Sequence, residues 1–293
     1  MSAPGEPARG PEPTELTDAR AAEGYDWHKW YAVATTFVAP ATFVTALLFY
    51  FGYVYSRASF RYFGVDIDTV GLSTQGFVMR SPQALLVPAI LLTLTACGAT
   101  VVHAMVLRHG VAARVSGGAL YLGIGLTFAG LTLIAAFGWV GGRWFYAMVT
   151  PLTLAVGVGL LAWAGHHRGV RRGAVALGAV ISAISIFWAT ATLAEWTGRG
   201  AAQRLARDLK SLPAVVLDTK ERLYLGDGIV EETALPGQEG QAFRYRYRGL
   251  RLLIHGGDTM FLVPSPWTSA GSTLMVPVDS DVRVKFRFVD DPP

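Results

Sequence analysis

The sequence predicts a membrane all-α bundle of five transmembrane helices followed by a small α+β domain with an antiparallel sheet. Three observations carry that prediction. Five apolar runs follow one another between Tyr31 and Trp196, aromatic residues gather at their ends, and beyond Thr197 the apolar period changes from continuous to alternating.

A hydrocarbon core about 30 Å thick needs roughly 20 apolar helical residues to cross it. The runs 31–55, 82–107, 116–140, 144–164 and 174–196 meet that length, and His103 and Glu195, each near a run's end, are their only imidazole or charged side chains. A soluble core helix would carry a polar stripe at period 3.6, which these lack. Trp27, Trp30 and Tyr31 open the first run, Tyr53 and Tyr55 close it, Trp139 and Trp144 straddle the turn after the third, and Trp163 and Trp196 end the last two. Such rings sit well at headgroup depth, where an apolar body and a polar edge are both satisfied. With 52% hydrophobic and 16% charged residues in 293, the chain is too apolar for an ordinary soluble domain and long enough for a bundle plus one small domain. The lone Cys97 excludes an internal disulfide, and 21 Arg against 4 Lys with no Asn indicate a high-GC coding bias.

Taken in order, residues 1–29 hold Pro4, Pro7, Pro11 and Pro13 among scattered acids, with no apolar period. They read as a disordered tail, and the first span as an uncleaved anchor. Residues 30–197 form the transmembrane domain. Its first loop, Ser56–Ser81, carries Arg57, Arg61 and Arg80 among Phe60, Tyr62, Phe63 and Phe77, and reads as an interfacial or re-entrant segment. Asp66 and Asp68 in that loop have the spacing to hold a divalent cation, but a turn or helix cap is the simpler reading. The remaining loops are short, so spans two to five are expected as antiparallel neighbours. Small residues four apart, Ala155 with Gly159 and Ala174 with Gly178 and Ser182, supply close-packing faces.

Residues 198–293 form the soluble domain. Arg199, Arg204, Arg207 and Lys210 lie on one face of residues 199–212 and Leu205, Leu209 and Leu212 on another, an amphipathic juxtamembrane helix with candidate lipid contacts. Short strands follow at 214–218 and 222–225. Another is expected at 242–248, with Arg244, Arg246 and Arg248 on its outward face. The strands 251–255 and 259–263 flank the hairpin signal Gly256-Gly257-Asp258, and 273–276 follows. The last strand, 282–289, points Arg283, Lys285 and Arg287 outward. If the two cationic strands are neighbours, they present a surface for anionic headgroups or an anionic ligand; otherwise they are a solvated face.

The segment Tyr62-Phe-Gly-Val-Asp-Ile-Asp-Thr-Val-Gly-Leu-Ser-Thr-Gln75, with Tyr247–Ile254 and Met260–Pro264, resembles the layout of multi-pass membrane proteins of high-GC bacteria that have no assigned activity. The resemblance covers most of the chain outside the tail. It implies an inner-membrane architecture and no residue roles.

The chain has no phosphate loop, nucleophile elbow or His-Glu-x-x-His helix, so no enzymatic role, cofactor or nucleic-acid partner is expected. His28, His103, His109, His166 and His167 would share one side of the membrane, leaving an intramembrane haem or metal protein as an alternative. The leading expectation is a membrane-proximal domain that binds lipid, an envelope component or a membrane protein. An oligomeric channel or transport accessory is the runner-up. Counting Arg over the short loops predicts a cytoplasmic N-terminus and an extracytoplasmic C-terminal domain.

Overall fold

The computed structural model describes residues 38–140, 145–225, 228–237, 241–268, 271–279 and 281–287. The tail, the beginning of the first expected span, and Gly141–Arg143 lie outside them. Packing divides the chain into two units, Met1–Leu48 and Phe49–Pro293. The described part of the first unit is the beginning of a helix, and every tertiary contact given below lies within the second.

Seven α-helices precede the sheet among the described residues: α1 Ala39–Tyr62, α2 Ile67–Val70, α3 Thr74–Arg108, α4 Ala112–Ala135, α5 Phe137–Val140, α6 Tyr146–His167 and α7 Arg172–Arg207. Four of them, α3, α4, α6 and α7, are long and apolar enough to cross a membrane. The sequence expectation of five spans is therefore met for four. The first expected run begins outside the described residues, and α1 is displaced along it, ending at Tyr62.

The helices contact one another through the small residues. Ser182 Oγ donates to the Ala155 carbonyl at 2.8 Å, and Gly178 lies against Ala162, so α6 and α7 meet on the faces that the four-residue spacing marks. A side chain at Gly157 would strike Thr127, and one at Gly130 would strike Leu154, which brings α4 onto α6. Close approach of this kind yields dispersion contacts that lipid cannot supply. Most of α3 faces outward, with Leu86, Ile90, Leu94, Val101 and Met105 exposed, as suits a helix surrounded by acyl chains.

Two expectations are corrected here. The segment after the first span is not a single loop. α1 runs on to Tyr62, Asp66 caps α2 by accepting from the Asp68 N–H at 3.2 Å, and Ser73 caps α3 by accepting from the Gly76 N–H at 3.2 Å. The Asp-x-Asp pair is thus a helix cap, and the Asp68 carboxylate accepts from the Tyr53 hydroxyl. The juxtamembrane helix, likewise, is not a separate element. α7 continues unbroken from Arg172 to Arg207 and gives way to a 3-10 turn at Leu209–Ser211. At 1.5 Å per residue, α3 and α7 are each roughly 50 Å long, so each overhangs a 30 Å core by roughly 20 Å.

The sheet contains β1 Ala214–Thr219, β2 Glu231–Ala234, β3 Tyr245–Gly256, β4 Thr259–Pro264, β5 Leu274–Pro277 and β6 Val282–Arg287. Its order is β5-β4-β3-β1-β6, antiparallel throughout, with β2 beside the first part of β3. The strands expected at 242–248 and 251–255 are one strand: near Gly249, at φ +85°, a bulge shifts the register against β1 by one residue, and the strand continues through it. The strand expected at 222–225 is irregular, and β2 stands instead at residues 231–234. The hairpin at Gly257-Asp258 forms as expected, joining Gly256 to Thr259.

β4 is buried on both faces. Met260 and Leu262 pack into the sheet's own core with Val215, Leu217, Tyr247, Leu250 and Val276. Phe261 points the other way, against Phe60, Val65, Ile67, Val70 and Phe77 of the helical segment, and Val263 meets Phe63, Ala202 and Leu209. This explains why the segment after α1 is so apolar: its side chains bury against protein, which removes more apolar surface from water than a headgroup layer does. Gly256 permits the approach, since a Cβ there would overlap the Val70 carbonyl.

Candidate functional site

Seating the sheet on the helix overhangs leaves an open cavity of about 1070 Å³. One wall is the end of α1, at Tyr55, Ser59 and Phe60. α3 contributes Arg80, Gln83 and Val87, α7 contributes Trp196, Thr197, Gly200 and Arg204, and Leu253 of β3 closes the top. Two glycines hold the walls together. A Cβ at Gly52 would overlap the Phe77 carbonyl, and one at Gly198 would overlap that of Tyr55, so α1 touches both α3 and α7 backbone to backbone.

The lining combines two arginines, Arg80 and Arg204, with the apolar Val87, Trp196, Leu205 and Leu253. Arg80 lies with its guanidinium 5.2 Å from the Phe60 ring centre. Among the described residues neither Arg80 nor Arg204 is in an ion pair, and Asp208 is the single carboxylate in the lining. On the far side of α1, Arg57, Arg61 and Arg199 border a second cavity of about 420 Å³, where Arg199 pairs with Glu195 at 2.8 Å. Arg207 and Lys210 are exposed beyond the first cavity. Of the four juxtamembrane candidates, the structure therefore brings Arg204 into the larger cavity and Arg199 into the smaller. Sequence reasoning passed over Arg80, which reads there only as one more arginine in a loop.

The six strand cations are arranged differently. β3 and β6 are not neighbours; β1 lies between them. Asp218 of β1, 1% exposed, accepts from Arg246 through both guanidinium arms at 2.7 and 3.1 Å and pairs with Lys285 at 3.1 Å. Hydrogen bonds from Arg246, and then from Lys285, hold the Asp218 carboxyl below the usual carboxylate range against the opposing effect of burial. Arg283 lies 4.3 Å over the Phe243 ring, Arg248 stands opposite Glu231 in the β2 register, and Arg244 and Arg287 are exposed. The sheet face is thus a cross-strand charge network around a buried aspartate. The signal for it was a single Asp ending the apolar run Ala214–Leu217. On the opposite face the buried Tyr247 hydroxyl accepts from the Leu223 N–H at 2.7 Å, and burial pushes its phenol up.

The histidines converge in part. The His103 and His167 rings lie 5.5 Å apart, as do those of His166 and His167, while His109 ends α3 and His28 lies outside the described residues. Trp163 Nε1 donates to His103 Nδ1 at 3.0 Å. An indole N–H only donates, so His103 Nδ1 is the acceptor in this contact. No group of three metal-ligating side chains occurs among the described residues. The Trp163 contact engages His103 alone; His167 Nε2 is buried without a hydrogen-bond partner among the described residues.

Comparison with family models, curated proteins and solved structures finds no match.

Proposed function

We propose that the chain is a non-enzymatic, polytopic membrane protein that binds a component of the bilayer or envelope in the cavity between its helix ends and its sheet. The observation that carries this reading is the cavity itself: about 1070 Å³, open, walled by three helices and roofed by Leu253. Ligand sites favour concave junctions between elements with a few convergent polar groups on apolar walls. In this reading α1 belongs to a fifth span, and the protein lies in a bacterial inner membrane.

Orientation follows from charge. Arg57, Arg61, Arg80, Arg199, Arg204, Arg207 and Lys210 gather at the sheet end of the helices, against Arg108, Arg114, Arg168, Arg171 and Arg172 at the other. Because α7 is continuous, its cations belong to the same collar as those of α1 and α3. The positive-inside rule then supports a cytoplasmic sheet domain, the reverse of what loop counting alone suggests. A fluorescent protein fused after Pro293 is expected to be bright and an alkaline phosphatase fusion inactive; an active phosphatase refutes this orientation.

Gly200 allows a direct test of the cavity. A Cβ there meets open space, so Gly200→Phe puts a ring into the cavity while removing no charge. Native mass spectrometry of full-length protein extracted in mild detergent should show a retained molecule on the wild type that this variant loses. Identical spectra for the two proteins contradict the proposal.

A further inference from the structure

We infer that the occupant is an anionic phospholipid of the surrounding bilayer, its phosphate held by Arg80 and Arg204 and its acyl chain lying along Val87 and Trp196. This rests on reading the cavity as a ligand site and names what the site selects.

Two features of the lining point to that ligand. The first is a pair of guanidinium groups in one lining. Arg80 and Arg204 come from different helices into one cavity, outside any ion pair among the described residues, with Ser59 in the same lining. Planar guanidinium groups match pairs of phosphate oxygens. Asp208 at the rim disfavours a ligand of high negative charge, which suits a singly charged phosphodiester.

The second feature is depth. α3 runs into the membrane from its N-terminus and α7 runs out of it toward its C-terminus, so on each helix the residues nearer the middle lie deeper. Val87 is seven residues beyond Arg80 along α3, and Trp196 is eight before Arg204 along α7. At 1.5 Å per residue both offsets are roughly 10–12 Å, about the drop from a phosphate to the upper acyl chain. Seven residues are also close to two full turns, which puts Arg80 and Val87 on one face of α3. A soluble anion would have no use for the apolar side chains of the lining, and a neutral lipid none for the arginines.

The test uses the full chain in mixed micelles containing phosphatidylglycerol and phosphatidylcholine, read by native mass spectrometry. Wild-type protein should retain phosphatidylglycerol about tenfold over phosphatidylcholine, equivalent to about 1.4 kcal/mol. Arg80→Gln with Arg204→Gln should abolish the preference, while Arg207→Gln, outside the lining, should leave it unchanged. Millimolar inorganic phosphate should not compete.

Equal retention of the two lipids overturns the inference, as does a preference that survives the double variant. Displacement by inorganic phosphate alone assigns the site to a free anion and overturns it too. A molecule that Gly200→Phe displaces but the arginine pair does not affect removes this inference and leaves the proposed function standing. If Gly200→Phe displaces nothing, both fall. An unchanged melting profile of the double variant excludes misfolding as the cause of a lost preference.

Discussion

Replacing Phe261 with alanine should detach the sheet from the helix ends while leaving the sheet folded. Phe261 is 1% exposed and packs on Phe60 of α1, Val65, Ile67 and Val70 at the connection to α3, and Phe77 of α3. Its neighbour Leu262 points into the sheet's own core. Truncating a buried phenylalanine costs about 3–5 kcal/mol, because the transferred surface is lost and the surrounding side chains collapse only partly into the gap. Assigned to the contact between sheet and helices, about 4 kcal/mol is a factor of roughly 10³ in the ratio of docked to undocked states. Hydrogen exchange of the full-length protein in nanodiscs reads that ratio, since amides protected by docking exchange through its opening. Peptides spanning residues 60–77 should exchange roughly 10³ faster in Phe261→Ala, while those of β1 and β6 stay near wild type. Phe286→Ala is the control: that ring is 59% exposed, and surface substitutions usually stay within about 0.5 kcal/mol. Wild-type protection of residues 60–77 in Phe261→Ala would refute the reasoning. Equal loss in β1 and β6 would show that the phenylalanine supports the sheet and not its docking.

Two further outcomes concern the charge network. The Asp218 carboxyl titrates lower in the folded protein than in the unfolded chain, so its contribution to stability is full above the ordinary carboxylate pKa of about 3.9 and fades as pH falls through the lower folded value. Acid titration of sheet unfolding should therefore show a component below about pH 4 that Asp218→Asn removes; an unchanged acid profile in that variant would count against the network. Lys285→Gln should do less than Asp218→Asn, because the two bonds from Arg246 remain and Lys285 is 46% exposed. Equal loss in the two variants would mean that Lys285, not Arg246, is the principal partner.

Much of the architecture was legible in the chain itself because the signals are local. A run of some twenty apolar residues makes a long apolar helix wherever it is placed, and four such helices are present. The spacing of Ala155, Gly159, Gly178 and Ser182 marked the α6–α7 contact, because small residues one turn apart allow that approach in any partner geometry. Gly256-Gly257-Asp258 announced its hairpin in the same way.

What depended on long-range packing was not legible. Whether Phe60, Phe63 and Phe77 face headgroups or protein is set by Phe261 and Val263, about two hundred residues away, and no local period carries that information. Strand order is equally non-local: Arg244–Arg248 and Arg283–Arg287 look like one cationic surface until β1 brings Asp218 between them. The cavity is the extreme case. Arg80 and Arg204 are ordinary juxtamembrane cations in sequence, and they share a site only because Gly52 and Gly198 let three helices meet beneath the sheet. Periodicity and turn chemistry act within a few residues, so the chain alone determined its elements. Pairing across two hundred residues is decided by burial and charge neutralisation, which exist only once the chain has folded.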